Sequence, residues 1–410
     1  MKTEDKNFYL GVINGALFNG ASVFISGNIV IPLLLENFTS SRAIIGLASA
    51  LLSIGWYLPQ FFAGYFSEKK VYKMPMYRFV SWLRISSFAS IIFAILIFKN
   101  LWIILSLILI YSLSGGLSGI AFMEIVAKTI PPKRRGYFWG GRLFFGGLLA
   151  LIGSFIVSFI LGKKEIFLFP INFVILFLIA FILISLAFLL YMGVEEPPSE
   201  IVLRRNFKEY SKEAIDSLKS NITYRRLIVT KYLCGATSIA FPFYVLYGIE
   251  YLKFPTSVVG AFLLSSSLGG IISNILWGYI SEKEGNKLVL QIYAIISIIC
   301  PVIAILSSHF ETWKHLYIFT FLLLGFAESG SWIGFANFLL EISPVKNRTS
   351  YVGFMHTITS FVLLIPTLGG YLVDKIQGNS YNTIFILAFL FGLFGLLNTF
   401  KLVEPRIQSS

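Results

Sequence analysis

The chain has 410 residues and a formal net charge of +13; 56% of it is hydrophobic, 17% aromatic and only 13% charged. Soluble globular domains carry about 25% charged residues, so this composition excludes an ordinary water-soluble fold and asks for a bilayer. The positive excess alone would also suit nucleic acid, and its distribution along the chain has to decide.

Apolar runs of roughly 20 residues, the length that crosses about 30 Å of hydrocarbon, recur from Phe8 almost to the end, and we count twelve. Lys2 and Lys6 precede the first, which reaches Leu35; it is too long for a signal-peptide core and lacks a small-residue cleavage site, so it is expected to remain as the first span. The first half reads as spans near 8–35, 42–66, 75–98, 101–127, 137–161 and 166–194. All are expected to be helical, because a span in lipid must satisfy its own backbone groups and no alternating ten-residue barrel pattern occurs.

Between Glu195 and Arg226 the composition changes: Pro197-Pro198 stop the sixth helix, and six acids mix with seven bases. Leu203, Phe207, Tyr210, Ala214 and Leu218 recur at steps of three and four, which predicts an amphipathic helix against the cytoplasmic side; a solvated linker is the alternative. Spans near 227–249, 256–281, 288–308, 313–341, 350–373 and 381–403 follow. The expected domains are therefore a six-helix bundle over 1–194, a linker over 195–226 and a second bundle over 227–410. Cys234 and Cys300 fall within spans, form no disulfide or metal spacing, and read as packing residues.

The two halves are copies. Gly64-Tyr65-Phe66-Ser67-Glu68-Lys69-Lys70 returns 214 residues later as Gly278-Tyr279-Ile280-Ser281-Glu282-Lys283-Glu284, and the same shift aligns Gly46 with Gly260, Ser53 with Ser267 and Gly55 with Gly269. A shift of 213 aligns Pro131 with Pro344, Arg135 with Arg348 and Gly140 with Gly353, so a second loop repeats as well. A period of about half the chain means two structural halves rather than stacked short repeats. Of the 33 Lys and Arg, 22 lie in alternate loops and termini on one side, 7 in the opposite loops and four in or beside spans. By the positive-inside rule both termini are expected in the cytoplasm of a multi-pass cell-membrane protein, and nucleic acid is not needed to explain the charge.

The Gly-x-x-x-acid-base signature between the second and third spans of each half resembles the loop motif of the major facilitator superfamily of transporters. Glu68 and Glu282 stand where that pattern prefers Asp, Lys69 and Lys283 where it prefers Arg, and its second Gly survives only as Gly285, Val71 taking its place in the first copy. The resemblance implies an all-α integral membrane protein with twelve transmembrane helices in two pseudo-symmetric six-helix bundles, its first, fourth, seventh and tenth spans lining a central cavity. Pro366-Thr367-Leu368-Gly369-Gly370 in the eleventh span resembles a Pro-x-x-Gly-Gly signature of many members and reads here as a kink with close packing. The fifth span lacks the Gly-Pro pair of the related antiporter motif, which argues against drug–proton antiport.

Glu328 lies near the middle of the tenth span, beside Ser329, Gly330 and Ser331. A mid-membrane carboxylate costs about 3 kcal/mol or more, so it is expected to face a cavity or a partner, as a proton-coupling or cation site or as a structural acid. Arg84, about nine residues into the third span, reads as a structural ion pair, with Glu124 the nearest candidate partner by depth and Arg142 competing for it; substrate contact is the alternative. Gly15, Asn19, Ser22 and Ser26 form a stripe on the first span, and Thr237, Phe241, Tyr244 and Gly248 on the seventh; cavity lining and helix packing both fit. By the symmetry of the repeats, Glu68 is expected near Arg348 and Glu282 near Arg135. Together with Gly64, Gly278, Lys69 and Lys283 they would form a cytoplasmic latch at two helix N-termini.

A membrane enzyme would need converging nucleophiles, metal ligands or paired acids. The three histidines, His309, His315 and His356, form no such set, and no metal, activated-Ser or phosphate-loop spacing appears. The expectation is a monomeric secondary transporter of a small organic solute working by alternating access, with protons as the candidate coupling ion and with no cofactor or metal. A transporter-like sensor that binds without translocating is the alternative.

Overall fold

The computed structural model describes residues 3–163, 165–199, 205–344, 348–376 and 380–405, and no strand occurs among them. Twelve helical segments are long and apolar enough to cross a membrane: Thr3–Leu35, Arg42–Glu68, Met74–Phe98, Leu101–Thr129, Arg135–Gly162, Ile171–Tyr191, Ile222–Glu250, Val258–Lys283, Asn286–His309, Lys314–Ile342, Arg348–Lys375 and Ser380–Thr399. The sequence places the sixth too early, because Pro170 closes the preceding loop and seats the helix at Ile171. It places the seventh too late, because the Asn221 side chain accepts from Tyr224 N at 3.0 Å and starts the helix inside the supposed linker.

Several spans are interrupted, and two of the breaks repeat. The first passes through a 3₁₀ turn at Val23–Ile25, and the seventh through Ala236–Ala240, where the 214-residue shift would put it. The second is interrupted at Leu58-Pro59, since proline cannot donate to the helix ladder. Thr357 of the eleventh span mends this break: its hydroxyl donates to the Leu58 carbonyl at 2.8 Å and accepts from Phe61 N at 3.1 Å.

The first six spans pack into one bundle and the last six into another. Between bundles, the second span lies along the eleventh and the fifth against the eighth. Glycine sets the closeness of both seams: a methyl at Gly46 would strike the Pro366 carbonyl, and one at Gly260 would strike Ser158. On the face that carries the linker the seams differ. There Gly64 lies against Tyr210 and Thr349, whereas the positions a Cβ would take at Gly136, Gly140 and Gly278 meet nothing within 4 Å. The bundles are thus joined along the whole second–eleventh seam, while open space faces the fifth and eighth spans at the linker face.

The linker contains the expected amphipathic helix, Phe207–Ser220, begun by a capping box of Asn206 and Glu209. Its buried side carries Tyr210 and Ala214, as the periodicity predicts, but Phe207 is exposed and Leu218 only half-buried, and Leu203 lies outside the described residues. Tyr210 packs on Phe61 of the second span with ring centroids 4.7 Å apart, and the same helix lies against the eleventh span, so the linker helix touches both bundles. Lys6 pairs with Glu195 at 2.6 Å and Arg226 donates to the Lys401 carbonyl at 2.9 Å, so both ends of the described chain lie on this same face.

Candidate solute site

Where the second span breaks, titratable side chains from both bundles converge. Tyr57 ends the first segment of that span; its ring stands 5.2 Å from the His356 ring of the eleventh, edge to face. His356 Nδ1 is hydrogen-bonded to Gln60 Oε1, one turn beyond Tyr57. The Lys231 ammonium, from the seventh span, lies 5.2 Å from the Tyr57 ring and 5.7 Å from that of Phe335 in the tenth. Glu328 and Phe335 are seven residues apart, hence on one helix face about 10 Å apart along the axis. Lys231, Tyr57 and His356 are half-buried, and Glu328 is exposed despite its mid-span position.

This arrangement can hold a small molecule by its charges. An ammonium over aromatic faces rather than on a carboxylate leaves its attraction available to an anionic group. A carboxylate two turns away is available to a cation or proton. Aromatic walls supply apolar contact between them, the usual composition of a ligand site.

Of the candidate site residues read from the sequence, only Glu328 lies toward this cluster, two turns from Phe335 on the same helix face. Its neighbours Ser329 and Gly330 turn into their own bundle, Ser329 bonding Asn274 and Gly330 abutting Trp277, while Ser331 is half-buried. The seventh-span stripe is bundle core. Thr237 is buried and donates to the Cys234 carbonyl at 2.7 Å, and Tyr244 stacks on Phe385 at 5.0 Å, leaving Phe241 half-buried. On the first span Gly15 abuts Arg142 and Asn19 abuts Gly146, while Ser22 is exposed and Ser26 supplies the carbonyl that accepts Val30 and Ile31 N at 3.0 Å. Small and hydroxyl residues here let helices approach, which is their common role in membranes.

The expected ion pair of Arg84 with Glu124 is absent. Arg84 is 4% exposed and ringed by Phe18, Trp56, Tyr111 and Phe188, at 4.5–5.4 Å from their centroids. Glu124 instead pairs with Lys73 at 3.3 Å. Arg142 donates to the Gly11 carbonyl and to Asn14 Oδ1, under Phe122. A planar guanidinium stacks on aromatic faces readily, so neither arginine needs an acid.

The latch also has other partners. Glu68 is bound by Arg205 of the linker, and Arg348 is exposed. Arg135 donates to the Ile130 and Ala127 carbonyls at 3.1 and 2.8 Å, folding back on the fourth span instead of crossing to Glu282. The repeated lysines do behave alike: Lys69 donates to the Tyr65 hydroxyl at 2.6 Å and Lys283 to that of Tyr279 at 2.9 Å.

Sequence reasoning missed Lys231 and His356 as a pair and Tyr57 as their meeting point. A lone lysine carries no motif, but the place of Lys231 inside an apolar span was a signal equal to that of Glu328.

Two six-helix bundles of membrane-spanning length define a polytopic membrane protein, and the family pattern that the chain matches makes it a transporter rather than an enzyme. The chain belongs to the major facilitator superfamily, whose sequence pattern, described as Major Facilitator Superfamily, matches residues 12–310 and 227–410. It is 31% identical over 160 residues to a putative proline/betaine transporter of Staphylococcus haemolyticus (strain JCSC1435); the match covers 37% of this chain and 33% of that relative's length. Among solved structures it resembles a D-xylose–proton symporter, at a TM-score of 0.75 and 14% identity over 98% of each chain. It also resembles the nucleoside transporter NupG, at 0.74 and 14%, covering 98% of this chain and 100% of that one. At such identities these two likenesses speak for the fold alone.

Proposed function

We propose that the protein is a secondary active transporter that moves a small zwitterionic organic solute by alternating access, with the linker face toward the cytoplasm. The single observation that carries this reading is the cluster of Lys231, His356, Tyr57 and Phe335 at the junction of the bundles, with Glu328 exposed two turns from Phe335 on the same helix face. Lys231 receives the acidic group of the solute, the rings of Tyr57 and Phe335 flank it, and Glu328 receives the cationic group or the coupling proton. Proline and betaine, for which the partial relative is named, are zwitterions and agree with this charge pattern. The excess of Lys and Arg in the linker-face loops supports the orientation.

Counterflow in proteoliposomes tests the reading. Labelled proline or glycine betaine should exchange, while xylose and uridine should not. Glu328→Gln should abolish uphill uptake driven by a proton gradient and leave exchange in place if the residue serves coupling. Binding without exchange of any of these would overturn transport in favour of a sensor, and exchange of xylose or uridine alone would overturn the zwitterion. Cysteines at Lys70 and Glu284, both exposed at the linker face, should resist an impermeant thiol reagent in intact cells.

A further inference from the structure

At the face opposite the linker, five polar side chains from five spans or their ends meet across the bundle seam. Arg42, the first residue of the second span, bonds Glu36 at 3.2 Å, just past the first span, and also Glu250 at the end of the seventh. Tyr381, opening the twelfth, donates to the other Glu250 oxygen at 2.6 Å. Asp374 of the eleventh accepts from the Ser41 hydroxyl at 2.9 Å and from Arg42 N and Ala43 N at 2.9 and 3.1 Å, capping the second span from the other bundle. Glu36 and Arg42 belong to the first bundle; Glu250, Asp374 and Tyr381 belong to the second.

Charge at this seam does not balance. Asp374 is committed to the backbone of the second span, which among the described residues leaves one guanidinium for the two carboxyls of Glu36 and Glu250. Tyr381 donates and brings no positive charge. Two carboxyls sharing one cation in a partly buried place cannot both stay ionised without cost, and the cheapest relief is one proton between them.

We propose that Glu36 and Glu250 form a shared-proton gate, binding one proton as the bundles close at the face opposite the linker and releasing it to the same side as they part. Burial, then the neighbouring Glu250, push the Glu36 carboxyl up to about 8 while Arg42 pulls the other way. With the seam open, Glu36 would stand in water with an ordinary carboxyl pKa of about 4.3. A raised pKa in the closed state means that closure takes up a proton anywhere between these values. Acid therefore favours the closed seam, and the closed-to-open ratio falls close to tenfold per pH unit from about 5 to about 8. Because the proton enters and leaves on one side, it adds nothing to the coupling ratio. This gate is distinct from any proton carried at Glu328, and its test does not depend on the identity of the solute.

The experiment is a pulsed spin-label distance between Ser40 and Lys253, exposed positions on the two bundles at this face, in the full chain lacking Cys234 and Cys300. Between pH 6 and pH 9 the long-distance population should grow in the otherwise unaltered protein. Glu36→Gln should hold the short distance at every pH, because one carboxyl then faces one guanidinium. Asp374→Asn should enlarge the long-distance population at every pH yet keep the slope with pH, since it weakens the seam without touching the shared proton. A pH-independent distance in the unaltered protein, or a pH slope that survives Glu36→Gln, would overturn the proposal.

Discussion

Glu68 of the repeated loop is gripped by Arg205 of the linker, whose Nη2 lies 2.9 Å from both carboxylate oxygens and whose Nε lies 3.1 Å from one of them. Both side chains are largely buried, Arg205 at 13% and Glu68 at 9% exposure, and Arg205 also bonds Glu213 of the linker helix. Burial works against the Arg205 charge, yet the two carboxylates hold its pKa above the ordinary value. A linker residue has thus taken the role that repeat symmetry would assign to Arg348.

Removing one partner of a buried pair leaves the other charge uncompensated, at a cost of about 3–5 kcal/mol. Arg205→Gln should therefore lower the melting temperature more than Glu68→Gln does, because Glu68→Gln leaves Arg205 with Glu213. Hydrogen exchange over Phe207–Ser220 should rise in Arg205→Gln. Equal melting temperatures in the two variants would show that the pair does not hold the linker.

Lys231 sets stability against function. Its described contacts are the ring faces of Tyr57 and Phe335 rather than a carboxylate, so holding its charge inside the span is a net cost that a solute repays on binding. Lys231→Met should raise the melting temperature of the solute-free protein while reducing the affinity for a zwitterion by at least about tenfold. Lys231→Arg should keep most of the binding. A less stable Lys231→Met variant with unchanged affinity would return this lysine to a purely structural role.

How far the sequence could be read follows from what each feature depends on. Twelve spans were legible because bilayer thickness fixes their length, and the linker helix because its apolar period is local. The partners of Arg84, Glu68 and Arg135 were not. Depth and repeat symmetry suggest where a charge could find an opposite one, but aromatic rings, backbone carbonyls and a linker arginine compete on equal terms once the helices pack. One missed feature did have a written signal. Glu196-Pro197 after the sixth span and Glu404-Pro405 after the twelfth repeat each other, and each acid caps the helix three spans earlier: Glu196 accepts from Lys73 N and Met74 N at 2.7–2.8 Å, Glu404 from Lys287 N at 2.8 Å.

Those two caps should differ in strength. Glu196 also pairs with Lys128, whereas Glu404 accepts beside Gly285, whose φ of +90° places it in the region that favours glycine. Charge-assisted hydrogen bonds of this kind contribute about 1.5–3 kcal/mol each. Glu196→Gln should lower the melting temperature, and by more than Glu404→Gln, in thermal unfolding followed by circular dichroism. The reverse order would mean that the Lys128 pair adds nothing to the cap.

Gly64 and Gly278 occupy the same place in the two copies of the repeated loop but not in the structure. A methyl at Gly64 would meet the Tyr210 hydroxyl at 2.8 Å and Thr349 Cγ2 at 2.9 Å, while one at Gly278 would meet nothing within 4 Å. In this state Gly64→Ala should therefore strain the contact with the linker helix and the eleventh span. Gly278→Ala should cost nothing and could add up to about 1 kcal/mol, the difference in helix propensity between the two residues. A transporter that alternates must also close the seam between the fifth and eighth spans at the linker face. By the repeat symmetry, that closure would press Gly278 against the fifth span as Gly64 is pressed against the eleventh. The expected outcome for Gly278→Ala is thus an unchanged or higher melting temperature together with slower counterflow and greater linker-face accessibility of cysteines on the fifth span. Normal counterflow in Gly278→Ala would mean that the two seams do not exchange roles during transport.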